Sequence, residues 1–188
     1  MKRIFLTLAV LAHFSMVAAM VLGLQVGDPM TLGGRDPVVN ARIGSHILIG
    51  LGALTGITMV HALVFTWFMG TGRWIEESSR AYGLSDVFHR RSQKLKYSVL
   101  PGILLSFLLV LATGCLGAIA DPASAASLQP MTGISDSAIH FTSALITWLA
   151  NLLINLLQYL RIAGNSAVVE GVLAEVRRIR VERGLPVA

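Results

Sequence analysis

The sequence predicts an all-α integral membrane protein: a four-helix bundle threaded up-down-up-down, followed by an amphipathic C-terminal helix on the cytoplasmic side. Three observations predict it. Mean hydropathy is +0.70 and charged residues are 13% of the chain, against roughly 25% in soluble domains. Such a chain cannot cover itself with a solvated surface, so lipid is its solvent. Four continuous apolar runs, about 4–24, 43–69, 99–120 and 139–162, are each long enough to cross a hydrocarbon core of about 30 Å as a helix. Thirteen of the 15 Lys and Arg fall on alternate connections and the termini, leaving only Arg35 and Arg42 on the other two. The positive-inside rule then puts both termini and the middle loop in the cytoplasm of a cell whose inner membrane the chain spans.

The first run follows Lys2 and Arg3. At about 21 residues it exceeds the h-region of a signal peptide, so it is read as a retained span despite the small pair Ala18 and Ala19. Gly27-Asp28-Pro29 and Gly33-Gly34 then mark a short outer connection. The second run ends near Trp67 and Trp74, aromatic rings suited to the membrane interface, with a short interfacial helix expected over 74–82. The third run holds Cys115, the lone cysteine, expected as an inert buried thiol. Asp121-Pro122-Ala123-Ser124 marks the second outer connection. The fourth run carries Asn151, Asn155 and Gln158 at i, i+4, i+7, a polar stripe suited to bonding between helices. From Ser166 to Arg183 the apolar residues Val168, Val169, Val172, Leu173, Val176 and Ile179 recur at helical spacing, giving an amphipathic helix. It suits either an anionic lipid surface or a partner subunit. The chain therefore divides into a four-span domain, 1–164, and a cytoplasmic helix and tail, 165–188.

The two hairpins share spacings. His46 to Gly70 and His140 to Gly164 are both 24 residues, and Asp28 to His46 and Asp121 to His140 are 18 and 19. A shift of 93 to 94 superposes them, as two parallel repeats related by an axis along the membrane normal. On that register His13 meets Ser106 and His61 meets Asn155.

Ionisable groups inside a membrane cost free energy and are functional candidates. His13, His46, His61 and His140 lie in the spans; no Asp, Glu or Lys lies deep in any. A neutral imidazole can ligate a metal through one nitrogen while the other donates a hydrogen bond. His46 and His140 form a pair near the outer face. His13 and His61 form a second pair, about 15–18 Å above the cytoplasmic charges. His46 and His61 share one face of a helix, roughly 22 Å apart along the axis. This placement resembles the general arrangement of cytochrome b proteins, in which two haem-ligating histidines share a helix. That resemblance implies b-type haem iron held by His46 with His140 and by His61 with His13. Gly50, Gly52, Ala53, Gly56, Gly102, Gly114 and Gly117 would leave room for the macrocycle, though Gly52-x-x-x-Gly56 also suits a close helix contact.

The chain lacks a phosphate-binding glycine loop, His-Glu-x-x-His, Cys-x-x-Cys and a hydrolase elbow. No independent catalytic activity is expected. Basic charge belongs to the cytoplasmic loops rather than to a nucleic-acid surface. The expectation is an electron-transfer subunit of a membrane redox complex, serving quinone or a partner protein. The alternative is a cofactor-free accessory subunit, alone as a homo-oligomer or within a larger assembly; a small transporter is less favoured, because no buried carboxylate offers a relay.

Overall fold

The computed structural model describes residues 1–26 and 36–186. Gly27-Asp28-Pro29, Gly33-Gly34, Arg35 and the Asp28 end of the repeat spacing lie outside these residues. Five helices follow in order: α1 (Lys2–Leu24), α2 (Pro37–Tyr82), α3 (Val87–Ala120), the single turn α4 (Gln129–Thr132) and α5 (Asp136–Glu182). No strand occurs among the described residues. All four predicted spans are helices, and all four are apolar enough to cross a membrane.

Local chemistry sets the ends. Asp36 caps α2 by accepting from the Val38 amide at 2.8 Å, and Pro37 fits the first helical position, where its missing N–H is not needed. Gly83 ends α2 with φ +67°, a conformation that favours glycine. Ser135 caps α5 through the Ala138 amide.

Packing directions follow from the contacts. Gly23 faces His46 and Gly56 faces Ala12, so α1 and α2 run antiparallel. Gly117 faces His140 and Gly102 faces Ile154, so α3 and α5 do too. In each most apolar window, 28% or less of the residues are buried within the protein. Leu104, Leu108, Leu152, Leu156 and Leu160 are exposed, while Ser106, Thr113, Thr147, Asn151, Asn155 and Gln158 are buried. Leucines outward, with polar side chains set among the buried apolar core, match a lipid solvent.

Three expectations need correction. Residues 74–82 are not a separate interfacial helix: α2 runs unbroken through Gly70 and Gly72. Glycine costs about 1 kcal/mol in a helix, but Gly72 is buried against Ser92 and Gln93 of α3, and that close approach holds the helix together. Nor does a new helix begin at Ser166, since α5 is continuous through Gly164. Cys115 is exposed rather than buried; within an apolar span that places it on the lipid-facing surface.

The prolongations of α2 and α5 pack with the start of α3. Ile75, Val168 and Val172 form a second small core, joined by Leu84, Phe88 and Val176. Val168 and Val172 of the amphipathic tail are therefore buried inside the protein, while Leu173 stays exposed.

Candidate functional site

The outer layer brings His46 and His140 together. Their ring centroids are 6.0 Å apart and their planes cross at 77°. His46 Nδ1 lies 2.9 Å from the Ala19 carbonyl. A carbonyl only accepts, so Nδ1 carries the proton and Nε2 keeps its lone pair. His140 lies beside the Thr113 backbone, and its Nδ1 is buried without a hydrogen-bond partner. Each ring also rests on a glycine. A Cβ at Gly23 would stand 2.9 Å from His46 Cε1, and one at Gly117 would stand 3.0 Å from His140 Cε1.

These groups obey one register. His46 and His140, Gly23 and Gly117, and Ala19 and Thr113 are each 94 residues apart. Burial repeats at the same interval. Phe5, Ala12, Met16 and Ala19 are buried on α1, and Val99, Ser106, Val110 and Thr113 on α3. Ala53, Ile57, Val60, His61, Val64 and Phe68 are buried on α2, and Thr147, Asn151, Ile154, Asn155, Gln158 and Ile162 on α5. The described parts of the two hairpins thus superpose on 94 rather than on a range. The counterpart of His13 is Phe107, not Ser106.

The inner layer is a hydrogen-bonded network. His61 is 3% exposed. Its Nε2 lies 2.8 Å from Asn151 Oδ1, and its Nδ1 lies 2.9 Å from Gln158 Nε2. Nδ1 also lies 3.1 Å from Gln158 Oε1, so both ring nitrogens of His61 are engaged by side-chain amides. Ser106 Oγ donates to the same Asn151 oxygen at 2.6 Å. His13 Nε2 takes Asn155 Nδ2 at 3.0 Å. The stripe of amides expected on the fourth span thus bonds to both inner histidines. Further outward, Thr113 meets Thr147 at 2.7 Å; further inward, Asn165 joins Ser92 at 3.0 Å and Thr71 at 2.8 Å.

The residues were tested against a haem. One metal held between two imidazoles, with a bond of about 2 Å on each side, sets their centroids about 6 Å apart. The outer pair has that spacing. Gly50, one turn along α2 from His46, leaves open space, since a Cβ there would meet nothing within 4 Å. The outer pair fits. The inner pair does not: His61 has no free nitrogen, and His13 has only Nδ1, which is buried. Among the described residues no cluster of three or more His, Cys, Asp or Glu could hold a bare metal ion. His89 lies outside the spans, with Glu76, Ser79 and Asp86, along a cavity of about 280 Å³.

Comparison with protein-family models, with characterised proteins and with solved structures returns no match. Fold and surface define the class: a multi-pass helical membrane protein, with a histidine pair at one end of its bundle and an amide-rich interior.

Proposed function

We propose that this protein is an electron-transfer subunit of the inner membrane that carries one b-type haem on His46 and His140. The chain threads up-down-up-down with both termini and the α2–α3–α5 extension in the cytoplasm, so the histidine pair lies near the outer face. The single observation that carries the reading is the His46 ring, tied through Nδ1 to the Ala19 carbonyl with no partner on Nε2 among the described residues, its centroid 6.0 Å from that of the His140 ring. When bound between His46 and His140, haem would supply one-electron transfer. The chain's own part is to hold two imidazoles at fixed separation, fix the tautomer of one through a carbonyl, and surround them with apolar helices that keep water out. His61 and His13 take no ligand role in this reading; they pin helices. Quinone or a partner protein would exchange the electron.

A reduced-minus-oxidised visible spectrum tests this. Protein made with ample haem should show a low-spin b-type band. His46→Ala and His140→Ala should each abolish it, whereas His61→Ala should keep it. A colourless wild-type protein would sink the reading.

The second reading is a cofactor-free accessory subunit. It is favoured by the same contact, because edge-on aromatic pairs pack at about 4.5–7 Å without any metal. In that case His46→Phe would cost no more than a packing change and one helix–helix hydrogen bond, about 0.6 kcal/mol, and would leave assembly unchanged.

A further inference from the structure

We infer that Gly23 and Gly117 are positioning residues that hold the two imidazole planes of the outer pair crossed. The inference rests on the haem reading above. Each histidine comes from the second helix of its hairpin, and each glycine from the first. With no side chain on the glycine, the Cε1 edge of the ring comes up against the neighbouring helix; a Cβ would stand 2.9 or 3.0 Å from the ring's Cε1. Methyl groups do not approach that closely, so alanine at either position must turn the ring or part the helices. At Gly23 the ring is also tied to Ala19 through Nδ1, so two contacts fix its rotation. The same device recurs 94 residues on at Gly117 and His140. Together they leave the rings crossed at 77°. Groups behind the ligand set its orientation and thereby tune the metal.

Crossed axial imidazoles leave two iron d orbitals nearly equal in energy, which gives ferric low-spin iron a strongly anisotropic EPR spectrum. Near-parallel rings split those orbitals and give an ordinary rhombic spectrum. The experiment is EPR and redox titration of the full-length, haem-loaded protein. The wild type should show the strongly anisotropic signal. Gly23→Ala and Gly117→Ala should each move the low-field feature and shift the midpoint potential. Gly56→Ala is the control, since its Cβ would sit 3.9 Å from Ala12 in ordinary contact; it should leave both readouts unchanged. A rhombic wild-type spectrum overturns the inference without need of any variant. So do alanine variants that keep haem with unaltered spectrum and potential. Either result leaves haem binding itself standing, while a wild type with no haem overturns the function instead.

Discussion

His61 illustrates how a buried histidine becomes a fastener. A neutral imidazole offers one donor and one acceptor, and Asn151 and Gln158 supply one of each complement. In Asn151→Leu, both the His61 N–H and the Ser106 hydroxyl lose their acceptor. A buried group left unpaired costs about 1–3 kcal/mol, and bonds between membrane helices average nearer 0.6 kcal/mol. Asn151→Leu should therefore lower thermal stability in detergent by about 1–2 kcal/mol. The double change His61→Leu with Asn151→Leu should cost less than the sum of the singles; strict additivity would show that the bond carries no energy. In the connection from α3 to α5, the Ser127 hydroxyl and the Leu128 amide bond Asp136 and hold its carboxyl below the ordinary range. A carboxyl lowered on folding stabilises the fold above its ordinary pKa, and that contribution is lost as pH falls through the lowered value. Protection of the Leu128 amide, taken relative to its intrinsic exchange at each pH, should therefore fall once pH drops below about 4, and Asp136→Asn should flatten that response. The His46–His140 contact was legible in the sequence as two histidines at matched depth, and the amide stripe as i, i+4, i+7. Gly23 was not, because its role depends on a ring that arrives from another helix.

At the scale of elements, the notable feature is length. At 1.5 Å per residue, the 46 and 47 residues of α2 and α5 each reach about 70 Å, more than twice the hydrocarbon core. The excess forms a conventional small core, with Ile75 and Val172 fully buried. Along α5 the buried face changes from amides interleaved with isoleucine, at Asn151, Ile154, Asn155, Gln158 and Ile162, to valine at Val168 and Val172. Val172→Asp places a charge in that second core. It should open the extension to protease while leaving the spans folded, read as cleavage within 165–182 in vesicles that expose the extension. Protection equal to the wild type would mean the extension is held by something other than this core. The sequence marked the tail as amphipathic, and that pattern is present. It could not say what the apolar face meets, because α2 and α3 reach it only by running past the membrane.

At the scale of the whole molecule, orientation follows from charge and can be mapped with one natural advantage: Cys115 is the sole cysteine. In a Cys115→Ser background, Ala126→Cys should react with an impermeant thiol reagent from outside intact cells. Ser85→Cys and Arg183→Cys should react only after lysis. The opposite pattern would invert the bundle and move the histidine pair to the cytoplasmic face. The 94-residue register also pairs His46 with His140 and sets His61 at the position of Asn155, so the inner histidine and one of the inner amides occupy equivalent places in the two hairpins.

The sequence by itself determined the number and place of the spans, the polar stripe on the fourth, and the outer histidine pair. These are local properties: a long apolar run has to be a helix in lipid, and spacing along a helix fixes which residues share a face. Only the tertiary structure decided that α2 and α5 continue past the membrane, that Cys115 faces outward, and that His61 has no nitrogen left to bind iron. Each of these depends on which helix lies alongside, and a chain of similar apolar segments leaves that choice to the packing of small residues and the pairing of buried polar groups.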